Sequence, residues 1–259
     1  PLLIKYLDVN DRLSIQVHPS DEVALKKHNE LGKSESWFIM EASDDATLIM
    51  GMKEGVKKEE FLRKTKENNF EGLFNEITVK KGDLIDIVPG MVHASLKGSV
   101  IFAEIQENSD ITYRIYDFDR IQNGKKRELH LDDAAEVIDF NQKPIITHTN
   151  FVGNETRKTI IKNTDFDESE NGKDILKKNI IEKKYYSIDR IKVSGNFDDV
   201  CHESMIIYSI LEGKGTISHK NENGEIISLE IQKGESLLVP VNIEVKLNGE
   251  LEILRTIIE

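Results

Sequence analysis

The chain has 259 residues, with 47 acidic against 35 basic side chains and a formal net charge of −12 at pH 7. Hydrophobic residues make up 38% and charged residues 32%, enough apolar material for one large core or two modest ones. The acidic balance argues against nucleic-acid binding, and a mean hydropathy of −0.42 without a long apolar run argues against a transmembrane helix. The lone cysteine, Cys201, cannot form an internal disulfide, which suits the cytoplasm.

Pro1-Leu2-Leu3-Ile4-Lys5-Tyr6-Leu7 reads as a strand already under way with no initiator Met before it, so an N-terminal segment is expected to be missing. Val9 to Arg12 turns into Leu13-Ser14-Ile15-Gln16-Val17-His18. There Leu13, Ile15 and Val17 share one face of a strand and Ser14, Gln16 and His18 the other. A strand with one polar face usually turns it to solvent; here the polar face is expected to line a cavity. Pro19 ends the strand, and Ser20 is placed to N-cap a helix from Asp21 to Asn29, acidic at its start and basic at its end. Glu35 to Met40 is a strand, with Ala46 to Met52 as its partner. Val56 to Glu67 has helical spacing and Phe70 to Phe74 starts a second helix, an insertion expected to lie over one end of a barrel.

Ile77 to Val79, Leu84 to Val88 and Ser99 to Gln106 are strands separated by Gly and Pro turns. Asp110 to Asp119 is extended, Asn123-Gly124 turns, and Ala134 to Phe140 is helical. Asn150 to Asp174 is polar, with one strand near Thr159-Ile160-Ile161. The strand pattern then resumes in Tyr186 to Val193, Ile206 to Leu211, Gly215 to His219, Glu225 to Ile231, Ser236 to Val241, Glu244 to Leu247 and Leu251 to Ile258. So many short strands punctuated by turns argue for barrels or sandwiches. Lys233-Gly234-Glu235-Ser236-Leu237-Leu238-Val239-Pro240 echoes Lys81-Gly82-Asp83-Leu84-Ile85-Asp86-Ile87-Val88-Pro89, an internal repeat. Four residues beyond the proline stands His93 in the first copy and Glu244 in the second, and the second has no Gln-x-His.

Candidate chemistry gathers in the first copy. Gln16 and His18 point to one strand face, Glu35 opens the next strand, and His93 follows the Pro89-Gly90 turn. Two imidazoles, a carboxylate and a carboxamide from three strands make a first shell for a borderline divalent ion such as Zn2+. His28, His130, His148, His202 and His219 lack such neighbours. Lys33 lies two residues from Glu35 and reaches either the same cavity or solvent; Ser14 shares the face of Gln16.

The order Gln16-x-His18, Lys33-x-Glu35, Pro89-Gly90-x-x-His93 resembles the metal site of the cupin-type, class I mannose-6-phosphate isomerases, short bacterial type. The likeness continues through Glu104-Ile105-Gln106-Glu107-Asn108-Ser109-Asp110-Ile111-Thr112-Tyr113-Arg114. The resemblance implies a mainly β protein of two cupin-like jelly-roll barrels. Residues 1–145 would be the metal-binding catalytic barrel, with its helical insertion around 53–76. Residues 146–184 would be a linker region, and 185–259 a second barrel without metal. It also implies one Zn2+ per chain on Gln16, His18, Glu35 and His93, with Glu104, Lys33 and Arg114 catalytic and Ser14 and Asp110 at the substrate.

Aldose–ketose interconversion passes through a cis-enediol(ate). It needs a base at carbon and stabilisation of the developing oxyanion. Glu104 is the first choice for proton transfer, with Lys33 or a metal-bound hydroxide as alternatives. Arg114 would stabilise the enediolate or hold the phosphate of mannose 6-phosphate, unless it is a salt bridge to Asp117 or Asp119. Lys125, Lys126 and Arg127 are a secondary phosphate candidate, although basic residues beside Asn-Gly more often form a solvated turn. The expected partner is a small phosphosugar, with no nucleic acid or membrane, and a monomer or homodimer. Two alternatives stand beside the isomerase: an iron-dependent cupin oxygenase using His18, Glu35 and His93, and a non-catalytic sugar-binding cupin.

Overall fold

The computed structural model describes residues 2–149 and 175–259. The chain divides into two compact units, Pro1–His148 and Thr149–Glu259.

The first unit runs β1 (Leu2–Val9), β2 (Ile15–Val17), α1 (Asp21–His28), β3 (Glu35–Ala42), β4 (Thr47–Met52), α2 (Lys58–Lys66), β5 (Phe74–Thr78), β6 (Asp83–Ile87), β7 (His93–Lys97), β8 (Val100–Glu107), β9 (Tyr113–Tyr116), β10 (Ile121–Gln122), β11 (Lys125–Lys126), α3 (Leu131–Val137) and β12 (Ile145–His148). Its strands form two five-stranded sheets, β1-β8-β3-β6-β12 and β5-β4-β7-β2-β9, with β10 and β11 as a separate hairpin. The pairing is antiparallel throughout.

Strand alternation sorts the side chains. Trp37, Ile39, Leu48, Met50, Ile85 and Phe102, drawn from both sheets, form the core between them. Ile15 and Val17 point the other way and pack with Phe61 of α2 and Ala134 and Ala135 of α3. The helices thus cover the outer face of the second sheet rather than one end of the barrel, and the polar face of β2 is left inside. Ser20 caps α1 as its sequence predicts, accepting from the Val23 N–H at 3.5 Å.

Four expectations shift. Ala46 to Met52 is not the partner of β3, because β4 lies in the other sheet, paired with β5 and β7. No second helix starts at Phe70: the chain turns through Gly72 and enters β5, which pairs with β4. α3 begins at Leu131, earlier than Ala134. Both ends of the expected linker join sheets, since Ile145 and Ile146 pair with β6 and Ile175 and Leu176 with the strand that follows in the second unit. The strand expected near Thr159 lies outside the described residues.

The second unit runs β13 (Ile175–Glu182), β14 (Tyr186–Asp199), β15 (Ile206–Lys220), β16 (Ile226–Gln232), β17 (Ser236–Val239) and β18 (Val245–Ile258). Their order is β13-β14-β18-β15-β16, with β17 also on β15. Strands read separately from sequence merge here. Gly213 and Gly215 do not end β15, because Gly213 takes φ 87° beside a register shift and continues pairing with β18. A Cβ at Gly213 would lie 1.9 Å from the Glu250 carbonyl oxygen, so the kink requires glycine.

The repeat read at Lys81 and Lys233 is a repeat of backbone geometry. The Gly82 N–H donates to Ile39 O at 2.8 Å and the Gly234 N–H to Ile210 O at 2.9 Å. Asp83 accepts the Lys80 N–H at 3.0 Å, and Glu235 that of Gln232 at 2.9 Å. β3 and β15 each slip register just beyond these isoleucines. Downstream, the Gly90 N–H donates to His18 O and the Asn242 N–H to Cys201 O, while Met91 donates to Val88 O and Ile243 to Pro240 O. Pro240 therefore matches Val88, not Pro89, and the residue standing where His93 stands is Val245 rather than Glu244.

Candidate metal centre

Register brings the sequence-distant groups together. Gln16 on β2 pairs with His93 on β7 on one side and with Arg114 on β9 on the other. In the facing sheet, Glu35 on β3 pairs with Gln106, and Trp37 with Glu104. His18 is fixed just beyond β2, its backbone carbonyl accepting from Gly90 at 3.0 Å. Gly90 has φ 87°, and a Cβ there would meet Val137 O at 2.9 Å, so this turn both needs glycine and ties His18 to the His93 strand.

His18, Glu35 and His93 are all buried, and a ligand atom from each lies within 4.8 Å of the others. His18 Nδ1 is 2.9 Å from Ile111 O and His93 Nδ1 is 3.0 Å from Met91 O. A carbonyl only accepts, so each Nδ1 carries a proton, and the neutral form of each ring turns the lone pair of Nε2 inward. Those Nε2 atoms lie 3.2 Å from Glu35 Oε1 (His18) and 3.7 Å from Glu35 Oε2 (His93). His18 Nε2 is buried with no hydrogen-bond partner among the described residues. Lone pairs turned on a carboxylate repel unless a cation lies among them. A backbone carbonyl behind each imidazole is the usual support of a metal-binding histidine. The Gln16 amide nitrogen is 3.2 Å from His93 Nε2, and a half-turn of the amide would present its oxygen instead. The donor set fits a borderline divalent ion.

The electrostatics agree. Burial alone would raise the Glu35 carboxyl, but His18, His93 and Lys33 hold it well below the ordinary carboxylate range. Burial, then the neighbouring His18, pushes the His93 imidazole down to about 4, neutral and ready to donate its lone pair.

The other predicted residues separate into those at the cavity and those away from it. Lys33 Nζ is buried 2.8 Å from Glu35 Oε1. Glu104 is 5% exposed, raised by burial and by the charge of Glu35 against the pull of Lys5 and Lys33. Ser14 Oγ donates to Gln16 Oε1 at 3.2 Å. Arg114 donates to Glu128 O at 3.1 Å, and its buried Nε has no hydrogen-bond partner among the described residues. The salt bridges of Asp117 go instead to Arg120 and Arg127, and that of Asp119 to Lys126. Two of the three residues in the secondary phosphate candidate are thus paired to acids. Asp110 is exposed; its buried neighbour Ser109 holds the loop, donating to Leu31 O at 2.9 Å.

Sequence reading missed Lys5 and Trp37. Lys5 on β1 sits across from Glu104 and pairs with it at 2.7 Å, also donating to Gln106. Strand register alone places it there. Trp37 donates its indole N–H to Glu35 Oε2 at 3.0 Å. The i, i+2 spacing of Glu35 and Trp37 was the available signal.

An antiparallel two-sheet barrel with a buried His-Glu-His cluster inside defines a metal-binding protein of the cupin type. Residues 177–258 match the family described as mannose-6-phosphate isomerase, cupin domain. The whole chain is similar to two Bacillus subtilis proteins. One is the probable mannose-6-phosphate isomerase GmuF, 35% identical over 98% of this chain and 74% of that protein; the other is the mannose-6-phosphate isomerase ManA, 35% identical over 97% and 73%. The crystal structure of the Bacillus subtilis mannose 6-phosphate isomerase superposes with a TM-score of 0.81 at 30% identity, covering 99% of this chain and 74% of that one. The chain belongs to the mannose-6-phosphate isomerase family and is an enzyme of the aldose–ketose isomerase type. Among the described residues no helix is long and apolar enough to cross a membrane.

Proposed function

We propose that the chain interconverts mannose 6-phosphate and fructose 6-phosphate through a cis-enediol(ate), with one Zn2+ held by His18, Glu35, His93 and the Gln16 amide. The reading is carried by the convergence of two imidazole lone pairs on Glu35 within 4.8 Å, with a second buried carboxylate on the neighbouring strand. When bound, the ion supplies positive charge to the sugar oxygens as they become anionic.

The chain's own residues do the rest. Glu104 takes the proton from one carbon and returns it to the next. Its raised pKa makes it a stronger base than an ordinary glutamate, and the Lys5 contact keeps it ionised. Lys33 keeps positive charge beside Glu35 and the oxyanion; it is the alternative proton carrier. Arg114, with its unpartnered Nε beside Gln16, stabilises the enediolate or holds the phosphate. Ser14 orients Gln16 and is available to a substrate oxygen. The lone Cys201 suits work in the cytoplasm.

The test is a coupled isomerase assay on chelator-stripped and zinc-restored protein, with metal analysis. Turnover that returns with zinc supports the reading; full turnover in metal-free protein overturns it. For Glu104→Gln, retained turnover and retained proton exchange with solvent would sink the role given to Glu104.

A further inference from the structure

The residue behind the cluster is as constrained as the cluster itself. Trp37 is 1% exposed and is the single tryptophan of the chain. Its N–H donates to Glu35 Oε2, its ring meets His93 edge-on at 5.5 Å and 83°, and its far side stacks on Phe102 at 4.4 Å. One side chain therefore touches two of the three clustered groups and is itself held by a third ring. An indole offers one donor and no acceptor, so it can fix a carboxylate without competing for a cation. With Oε2 tied to the indole, Oε1 is the oxygen turned toward His18 and Lys33.

The second unit keeps an aromatic donor at the same position but points it at a carboxylate from a different strand, with Ile206 where Glu35 stands. Tyr208 stands where Trp37 stands, two residues before the isoleucine that accepts from the turn glycine, and its hydroxyl donates to Asp199 at 2.5 Å. The intrastrand pairing of an aromatic donor with a carboxylate two residues before it is therefore a feature of the first unit, where the histidines stand.

We infer that Trp37 is the positioning residue of the metal centre: its N–H fixes the rotation of Glu35, its ring walls His93, and its fluorescence reports occupancy of the site. The inference rests on the metal-centre reading proposed above. Outer-shell partners of metal ligands typically contribute about 10- to 100-fold in affinity, and that is the loss expected here.

The experiment titrates Zn2+ into stripped full-length protein, following tryptophan emission and competition with a chromophoric chelator. Two variants are compared: Trp37→Phe, and Trp37 replaced by benzothienylalanine, which keeps the bicyclic shape and lacks the N–H. Wild type should show a saturable emission change at one zinc per chain. The isostere should bind zinc about 10- to 100-fold more weakly with the melting temperature of its metal-free form unchanged, a split that a purely structural role would not give. Equal zinc affinity in the isostere and wild type overturns the inference and leaves the metal centre standing. Absence of saturable zinc binding in wild type overturns both.

Discussion

The two units carry the same backbone frame around different interiors. Where the first has His18, Glu35 and His93, the second has Cys201, Ile206 and Val245. Lys5 pairs with Glu104 across β1 and β8; at the matching positions of β14 and β18 the charges are reversed, with Asp189 facing Arg255. Arg255 also grips Asp199 at 2.5 Å, and Asp199 in turn receives the Tyr208 hydroxyl. The second interior answers its carboxylates with Arg255 alone at the matching strand, whereas the first pairs Glu35 with Lys33 and Glu104 with Lys5 and adds two imidazoles beside Glu35. A buried polar cluster is stable when complete. The difference between the units is therefore one of donor type: at matching positions the first has the two imidazoles and the carboxylate that suit a divalent ion, and the second has none of them.

The most drastic way to break this contrast is to give the first unit the second's residues. Glu35→Ile with His93→Val should bind no zinc and show no isomerase turnover by metal analysis and coupled assay. Its metal-free form should melt below the wild-type temperature, because Glu35→Ile strands the buried Lys33 ammonium, a loss of about 3–5 kcal/mol. Next, Glu104→Gln should lower kcat by about 10²- to 10⁴-fold while zinc content stays at the wild-type level.

The converse test breaks the complete network. Arg255→Met removes the cation shared by Asp189 and Asp199, leaving Asp189 to Lys177 and Asp199 to the Tyr208 hydroxyl, and should cost about 3 kcal/mol in denaturant unfolding, with the zinc stoichiometry unaltered. A smaller effect concerns pH. Glu104 acts as a base only when ionised, and its pKa is raised, so kcat/KM should fall as pH drops through a value above that of an ordinary glutamate. Lys5 pulls that pKa down, so Lys5→Met should move the acid limb to higher pH; an unmoved limb would assign it to another group. The smallest effect is expected of Tyr208→Phe, about 1 kcal/mol of unfolding free energy with activity retained.

The strand alternation at Ser14-Gln16-His18 and the Pro-Gly turn before His93 made the cluster legible, because side-chain direction follows directly from a period of two. Lys5 was not legible, since nothing local sets which residue of β8 it faces; that depends on register. The same gap misplaced the counterpart of His93: matching Pro89 to Pro240 is off by one, and only the paired hydrogen bonds show it. Gly213 looked like a turn because a kink and a turn ask for the same residue.

The carbonyl that holds the His18 ring belongs to Ile111, between the Ser109 anchor and Arg114. Any tug on that short segment is transmitted to an imidazole at the far end of the lever. Under the role proposed for Arg114, a sugar drawn against it would pull on the carbonyl that orients His18, tying substrate binding to the support of that imidazole.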